Sequence, residues 1–380
     1  MASIKKRKWK TSKGIELETW VVRYADQSGK WRLKTFPTKS AATEWSVTAL
    51  HEVQTGTHTP ASASKTVAEA WEQWIEDCEA SGLEKSTVRQ RCQHLKHHVS
   101  PHLGAVKLAD LATPRIYDFD SAMRKAGTSL PMRRKIITNV KTMLSFAQGK
   151  GLVAQNVAVA VRIKSDDRNS SAGPLRAGTD FPTRAEMNRA IEKARGRWRP
   201  LIITAIFTGL RASELRGLPW RDVDLESGVI HVRQRADAWS NIGPPKSKAG
   251  KRDIPLAPIV VNALKQWRDE CPKGPLDLVF PNGSGNVESL TNIWKRFWIP
   301  LQIECGMTSN TGEPLYGFHA LRHAAASLFI QYLKWSPKRL QTVMGHSSVR
   351  MTFDLYGHMF DDIEKDRADM ATIEAAIRAA

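Results

Sequence analysis

The sequence predicts an α+β protein that is mainly helical. It has a small three-stranded sheet with a helix at the N-terminus, a helical domain in the middle, and a mixed C-terminal domain with a β-hairpin. Three observations carry this reading. Apolar and polar residues alternate along residues 15–24 and 30–36, the period of a strand with one covered face. Two Thr-x-x-Glu capping boxes, Thr66 with Glu69 and Thr183 with Glu186, stand ahead of runs with helical periodicity. Residues 229–235 and 252–256 flank a tip rich in Gly, Pro and Lys, as the arms of a hairpin do. At 380 residues the chain has room for two or three domains.

Residues 1–60 read as a separate unit. The strands at 15–24 and 30–36 meet at the turn Asp26-Gln-Ser-Gly29, residues 4–10 supply a third, shorter strand, and residues 40–53 supply a helix. Eleven Lys and Arg against five Asp and Glu give this unit a charge of +6. Trp9, Trp20 and Trp31 interleave with the basic side chains. That pattern suits a sheet pressed on a phosphate backbone; the alternative is a tiny core of tryptophans solvated by lysines.

A Ser/Thr/Ala-rich stretch, residues 57–65, leads into a helical domain over residues 61–165. Thr66 caps a helix bearing Trp71, Trp74 and Ile75. Ser86 can cap the next, and Thr113-Pro114 sets an N-cap with proline at the first helical position. Residues 130–150 form a fourth helix, with Ile136, Val140, Met143, Leu144 and Ala147 on one side and Arg133, Arg134, Lys135 and Lys141 on the other. His94 and His98 have i, i+4 spacing, but no carboxylate or cysteine stands at a matching distance and residues 101–104 read as a turn, so no metal site is expected. Residues 166–180, rich in Ser, Gly, Asp and Arg, form a linker to the last domain, residues 181–380. There a nearly continuous apolar segment, residues 201–210, is a buried helix that ends at Thr208-Gly209 and delivers Arg211 directly after it. Beyond Pro258 the chain is again mainly helical.

A net charge of +19 and a pI near 9.9 point to a polyanionic partner, without separating DNA from RNA or an acidic membrane surface. No run of eighteen apolar residues exists, which excludes a spanning helix. The basic start, Lys5-Lys6-Arg7-Lys8, has no apolar segment behind it, so no secretory signal is expected. Cys78, Cys92, Cys271 and Cys305 lack CxxC spacing and read as free thiols in a reducing cytosol.

Chemistry concentrates between Tyr316 and His358. His319 and Arg322 lie three apart and share a helix face, His346 follows a glycine, and Tyr356 comes ten residues later. Upstream, Thr208-Gly-Leu-Arg211-Ala-Ser-Glu214 supplies a second arginine, and Pro245-Lys246-Ser-Lys248 supplies two lysines. Such groups can hold a phosphate, move protons and supply an oxygen nucleophile. Taken alone, Arg211 before Ser-Glu also fits a structural ion pair, with Glu214 as its partner.

This ordered series resembles the tyrosine recombinase (phage integrase) family. Its signature is an Arg, a hairpin Lys, a His-x-x-Arg, a His or Trp and a Tyr, in that chain order. The likeness extends to the integrase subgroup with an N-terminal arm-binding domain. It implies an arm-site-binding domain at 1–60, a core-binding domain at 61–165 and a catalytic domain of tyrosine recombinase type at 181–380. The implied activity is site-specific DNA recombination that integrates or excises a mobile element through a 3′-phosphotyrosyl link, with no metal, ATP or other cofactor. The implied partners are double-stranded DNA attachment sites and a homo-tetramer on synapsed DNA in the bacterial cytosol, with room for a host DNA-bending protein and a directionality factor.

By the same resemblance Arg211 and Arg322 bind the phosphate and Lys246 is the general acid. Lys246 is preferred to Lys248 for its Pro-Lys position on the hairpin before Ile254-Pro255. His319 is general base or phosphate ligand, His346 a further hydrogen-bond donor, and Tyr356 the nucleophile. Ala320 stands where many relatives carry Asp, which loosens the expected orientation of His319. His323 reads as structural, and His358 lies beyond the pattern. Three rival readings share part of this evidence: a Xer-like resolvase, a type IB topoisomerase and a DNA-binding regulator without catalysis. The complete Arg-Lys-His-Arg-His-Tyr set argues against the last, since a pure binder needs no ordered nucleophile.

Overall fold

The computed structural model describes residues 2–10, 16–26, 29–54, 64–164, 173–360 and 363–378. It divides into two compact units, Met1–Ser171 and Ala172–Ala380. Most of the linker expected at 57–65, and the part of the second linker before residue 173, fall outside the described residues.

The first unit opens with three antiparallel strands in sequence order, β1 (Ser3–Lys10), β2 (Glu16–Ala25) and β3 (Trp31–Phe36). Alternation decides the two faces. Val22 and Tyr24 point to α1 (Lys39–Gln54), where Trp45 packs against Tyr24 and Phe36 with ring centroids 5.0 and 5.4 Å apart. Pairing of Lys5 with Val21, Arg7 with Thr19 and Arg23 with Leu33 puts these residues, with Trp9 and Trp31, on the opposite face. That face is exposed: Trp31 keeps 53% of its surface in solvent, and the Arg23 guanidinium lies 4.5 Å over its ring. Trp9 and Trp31 are therefore surface residues, whereas Trp20, under Lys6 and Lys39, is half-buried.

Four helices follow: α2 (Val67–Ala80), α3 (Lys85–His94), α4 (Thr113–Lys125) and α5 (Leu130–Gly149). The Thr66 capping box forms as expected, with the Thr66 backbone N–H donating to Glu69 Oε2 at 2.6 Å. Trp71, Val99, Leu103, Phe119, Ile136, Val140 and Met143 build the core. Several local expectations are corrected. Residues 101–104 do not turn, because α3 continues through Pro101 to Gly104 as wide π-type turns. Glu84, not Ser86, holds the N-cap position of α3. Thr113 lies inside the first turn of α4, and its hydroxyl donates to Val157 O at 2.7 Å.

The basic side of α5 is also less available than its spacing implies. Arg133 is buried and donates to both Asp120 carboxylate oxygens at 2.9–3.0 Å. Arg134 donates to Ile163 O and Lys141 to Val161 O. A basic helix face here serves the fold as well as the surface. His94 accepts from the Asn139 amide at 2.8 Å, which gives this buried histidine a structural partner.

The second unit contains α6 (Arg184–Lys193), α7 (Trp198–Thr208) and α8 (Ala212–Arg216), then strands β4 (Val223–Asp224), β5 (Val229–Val232), β6 (Arg235–Ala236), β7 (Ile242–Gly243) and β8 (Arg252–Pro255). Helices α9 (Pro258–Glu270), α10 (Leu290–Asn292), α11 (Ile299–Glu304), α12 (Ala320–Gln331), α13 (Pro337–Met344), α14 (Val349–Tyr356) and α15 (Ile363–Arg378) complete it. The expected hairpin is present as β5 against β8, with β4 on the outer side of β5. Its arms are shorter than predicted, because the tip folds into a second small hairpin, β6 with β7.

Helix α7 is apolar almost all round, so it sits inside, packed on α9 and α12. It stops at Gly209, whose φ of +61° suits the left-handed C-cap. A Cβ there would come within 3.0 Å of Met344 Sδ and 3.2 Å of Ala325 Cβ, so the position is tightly packed as well as left-handed. No described helix is long and apolar enough to cross a membrane.

Candidate active site

The ends of α7 and α13 converge, and two arginines reach them. Carbonyls at a helix C-terminus lack intrahelical partners and carry the negative end of the helix dipole, so they attract cations. Arg322, near the start of α12, donates through Nη1 to Gly209 O at 2.6 Å and through Nη2 to Met344 O. Arg211, at the N-cap of α8, donates through Nη2 to Gly345 O at 2.8 Å. Gly345 has a φ of +64°, and a Cβ there would meet Ala249 O and Arg252 Nη1, each at 3.0 Å. The glycine before His346 thus lets three segments of chain close on one point.

A third guanidinium lies beneath. Arg252 at the start of β8 is buried, donating through Nη1 and Nη2 to the two Glu214 carboxylate oxygens at 3.0 and 2.8 Å and through Nε to Val343 O at 2.6 Å. The same carboxylate accepts from Arg211 Nη1 at 2.8 Å and from its backbone N–H at 2.9 Å. Burial alone would raise the Glu214 pKa. The Arg252 hydrogen bonds and charge, with Arg211, reverse this and bring it down to about 2. Two guanidinium cations, Arg211 and Arg252, therefore share one carboxylate, and Arg322, held by backbone carbonyls, feels its charge without bonding to it. Arg322 is buried and stays charged, while the Arg211 side chain keeps a third of its surface open. Three cations against one carboxylate leave positive charge in excess, and a phosphate fits that need.

The histidines and tyrosine of the motif series surround this cluster. Tyr356 closes α14 and is 0% exposed, and burial pushes its phenol up to about 12 against a smaller opposite pull from Arg322. The His346 ring lies nearly parallel to it, with centroids 6.3 Å apart, and His346 Nδ1 pairs with Thr352 Oγ1 at 2.9 Å. Burial first, then Arg322, Arg211 and Arg252, hold His346 down to about 3, so the ring is neutral. His319 sits just before α12 with an exposed edge. Packed protein beneath the ring, then His323, Arg322 and Arg211, bring it down to about 4.

Contacts and charge thus bring together Arg211, His319, Arg322, His346 and Tyr356. Lys246 and Lys248 are exposed on the strap between β7 and β8, whose Ala249 borders Gly345. His358 turns elsewhere and pairs with Leu175 O at 3.0 Å.

Two residues of this neighbourhood escape the sequence reading. Arg252 belongs to no motif of the series, although alternation puts position 252 on the same inward side as Ile254, and an inward-facing arginine in a strand is a readable sign. His323, read as structural, shares a 2.8 Å hydrogen bond with the Tyr356 hydroxyl through Nδ1. Its i, i+4 spacing from His319 already put it on the same helix face.

The phage integrase family matches residues 183–362, and the N-terminal SAM-like domain of phage integrases matches residues 66–123. The chain belongs to the phage integrase family. Site-specific recombination of DNA by a tyrosine-type enzyme is the activity that goes with that membership.

Prophage integrase IntR of Escherichia coli (strain K12) is 26% identical over 274 residues, which is 65% of this chain and 62% of that relative. The Tn1549 transposon integrase, solved with circular intermediate DNA, superposes with a TM-score of 0.66 at 21% identity, covering 82% of this chain and all of the other. A lambda integrase, solved as a tetramer on a Holliday junction, superposes at 0.56 and 18% identity, covering 90% and 95%. These superpositions establish a shared fold.

Proposed function

We propose that this phage integrase family chain cuts and rejoins double-stranded DNA at the attachment sites of a mobile element, with Tyr356 as nucleophile. The observation that carries this is the excess of positive charge where Arg211 and Arg252 bond to Glu214 and Arg322 lies alongside, next to a buried tyrosine. Arg211 and Arg322 take the non-bridging phosphate oxygens as negative charge grows on them. His346 adds a hydrogen-bond donor, and His319 serves as base or phosphate ligand. The 3′-phosphotyrosyl bond conserves the energy of the broken linkage, so a 5′ hydroxyl from another strand can reverse the reaction. The working assembly is a homo-tetramer on synapsed sites. A host DNA-bending protein and a directionality factor are compatible partners.

The decisive experiment uses a nicked duplex built from DNA flanking the gene. Cleavage releases a short fragment and leaves the protein on the 3′ phosphate, visible as a slow band on a denaturing gel. Absence of that band on the chain's own attachment core would favour a DNA-binding regulator instead.

Lys246 is the proposed acid for the departing 5′ oxygen. Lys246→Ala should slow cleavage by roughly 10²–10⁴-fold with little loss of binding. A 5′-bridging sulfur should restore the rate, because a thiolate leaves without a proton. Rescue of Lys248→Ala in its place would move the role to Lys248.

The exposed sheet face of the first unit is proposed to hold distal arm DNA. Its cations Lys5, Arg7 and Arg23 point to one side with Trp9 and Trp31. Replacing all three cations by Ala should weaken arm-site binding and make its log–log salt dependence shallower by about 0.9 per lost phosphate contact. Core-site cleavage should not change. Unaltered arm binding would refute this use of the face.

A further inference from the structure

We propose that His323 accepts the proton of Tyr356 during cleavage, a role that rests on the reading of Tyr356 as nucleophile. The Tyr356 hydroxyl and His323 Nδ1 are 2.8 Å apart, within the range for direct proton transfer. Burial keeps the phenol protonated, so the hydroxyl has a proton to give; the proposed role takes it as donor and Nδ1 as acceptor, with the ring proton on Nε2. Burial and then Arg322 lower the His323 pKa from its ordinary value, against an opposing pull from Asp180, which favours the neutral ring that can accept a proton.

The other two histidines are worse placed. His346 commits Nδ1 to Thr352 and presents its ring parallel to the phenol rather than an atom to the hydroxyl. His319 meets the His323 ring edge to face at 5.1 Å, one ring further out on the exposed side. That position suits a phosphate oxygen.

In the balanced step the proton passes from Tyr356 Oη to His323 Nδ1 as Oη bonds to phosphorus. The bond from phosphorus to the 5′ oxygen breaks, and that oxygen takes a proton from the proposed lysine acid. Rejoining runs the same transfers backwards, and His323 returns its proton to Tyr356. The charged and titratable groups facing the pair are His319 and Arg322 from the α12 side, Asp180 from the segment before α6, and His346 from the segment before α14.

The test measures adduct formation by the full chain on the nicked flanking-DNA duplex, between about pH 6 and 9. The unmutated chain should give a nearly flat profile through neutral pH, since the lowered His323 pKa favours the neutral ring. His323→Ala should be slower by roughly 10²–10⁴-fold, bind the duplex normally, and speed up about tenfold per pH unit as hydroxide takes over. His323→Asn keeps a polar group near the Nδ1 position but accepts no proton, so it should remain slow and keep the steep profile. Added imidazole should restore part of the Ala variant's rate.

Variants that fold and bind, yet form adduct at the unmutated rate with a flat profile, would overturn the proposal and leave the tyrosine reading intact. A fast His323→Asn with a flat profile would do the same, by showing that a hydrogen bond alone suffices. No adduct from the unmutated chain would remove both readings together.

Discussion

Tyr356→Phe is expected to abolish the covalent protein–DNA adduct while leaving folding and DNA binding in place. The substitution removes one oxygen from a side chain that is 0% exposed, so the ring still fills its site and the parallel contact with His346 survives. What disappears is the 2.8 Å hydrogen bond to His323 and the only atom of this residue able to attack phosphorus. The loss of one modest hydrogen bond costs about 1 kcal/mol, too little to unfold the unit, whereas loss of the nucleophile is total. Arg211→Ala and Arg322→Ala should also lose the adduct, by a different route: the nucleophile stays but the growing phosphate charge goes unmet. Electrophoresis in detergent, with DNA binding measured in parallel, separates these cases. An adduct that persists in Tyr356→Phe would put the nucleophile elsewhere. Tyr316 would be the next residue to test; its hydroxyl points to Glu186 and burial raises it to about 12.

Much of this site was readable because the motif residues sit at element ends, where sequence signals are strong. Gly209 and Gly345 mark the stops of α7 and α13, and the arginine or histidine that follows each is delivered to the same place. The sheet of the first unit was legible for a similar reason: strict alternation fixes both strands and faces. Alternation does not say which face α1 covers, and the fold puts Trp20 and Trp31 on opposite sides of the sheet. Long-range partners left no local trace. Arg133 looked like part of a basic surface because Asp120, which neutralises it, lies on another helix. The continuation of α3 through Pro101 was hidden too, since π-type turns relocate the hydrogen bond that proline removes. Arg252 leaves one local sign, its inward position in β8, but not the identity of its partner. Its partner Glu214 is thirty-eight residues away, and only the fold makes them a pair.

Glu214→Ala should be the most destabilising single change at this site, because it leaves Arg252 buried with no counter-charge. The Arg252 side chain is 2% exposed and gets both of its carboxylate bonds from Glu214. Removing one member of a buried ion pair costs about 3–5 kcal/mol. For a unit of this size that lowers the melting temperature by roughly 6–20 °C, at about 2–4 °C per kcal/mol. The double change Glu214→Ala with Arg252→Met should recover much of this loss, since an apolar pair leaves no charge stranded.

The pH dependence carries a sign that can be checked in the same calorimeter. Glu214 is held down to about 2 in the folded unit, below the value of about 4.3 for a free glutamate. Its contribution is therefore complete above about pH 4.3 and is lost as pH falls towards 2. The unmutated chain should lose melting temperature steeply across that window, and Glu214→Ala, having no carboxylate to protonate, should lose less. Adduct formation should fall as well in Glu214→Ala, because Arg211 loses the carboxylate that holds its Nη1 and its backbone N–H. A variant that melted within about 2 °C of the unmutated chain, with the same acid limb, would show that Arg252 finds another anion or water when Glu214 is gone, and that this carboxylate is not what holds the arginine cluster together.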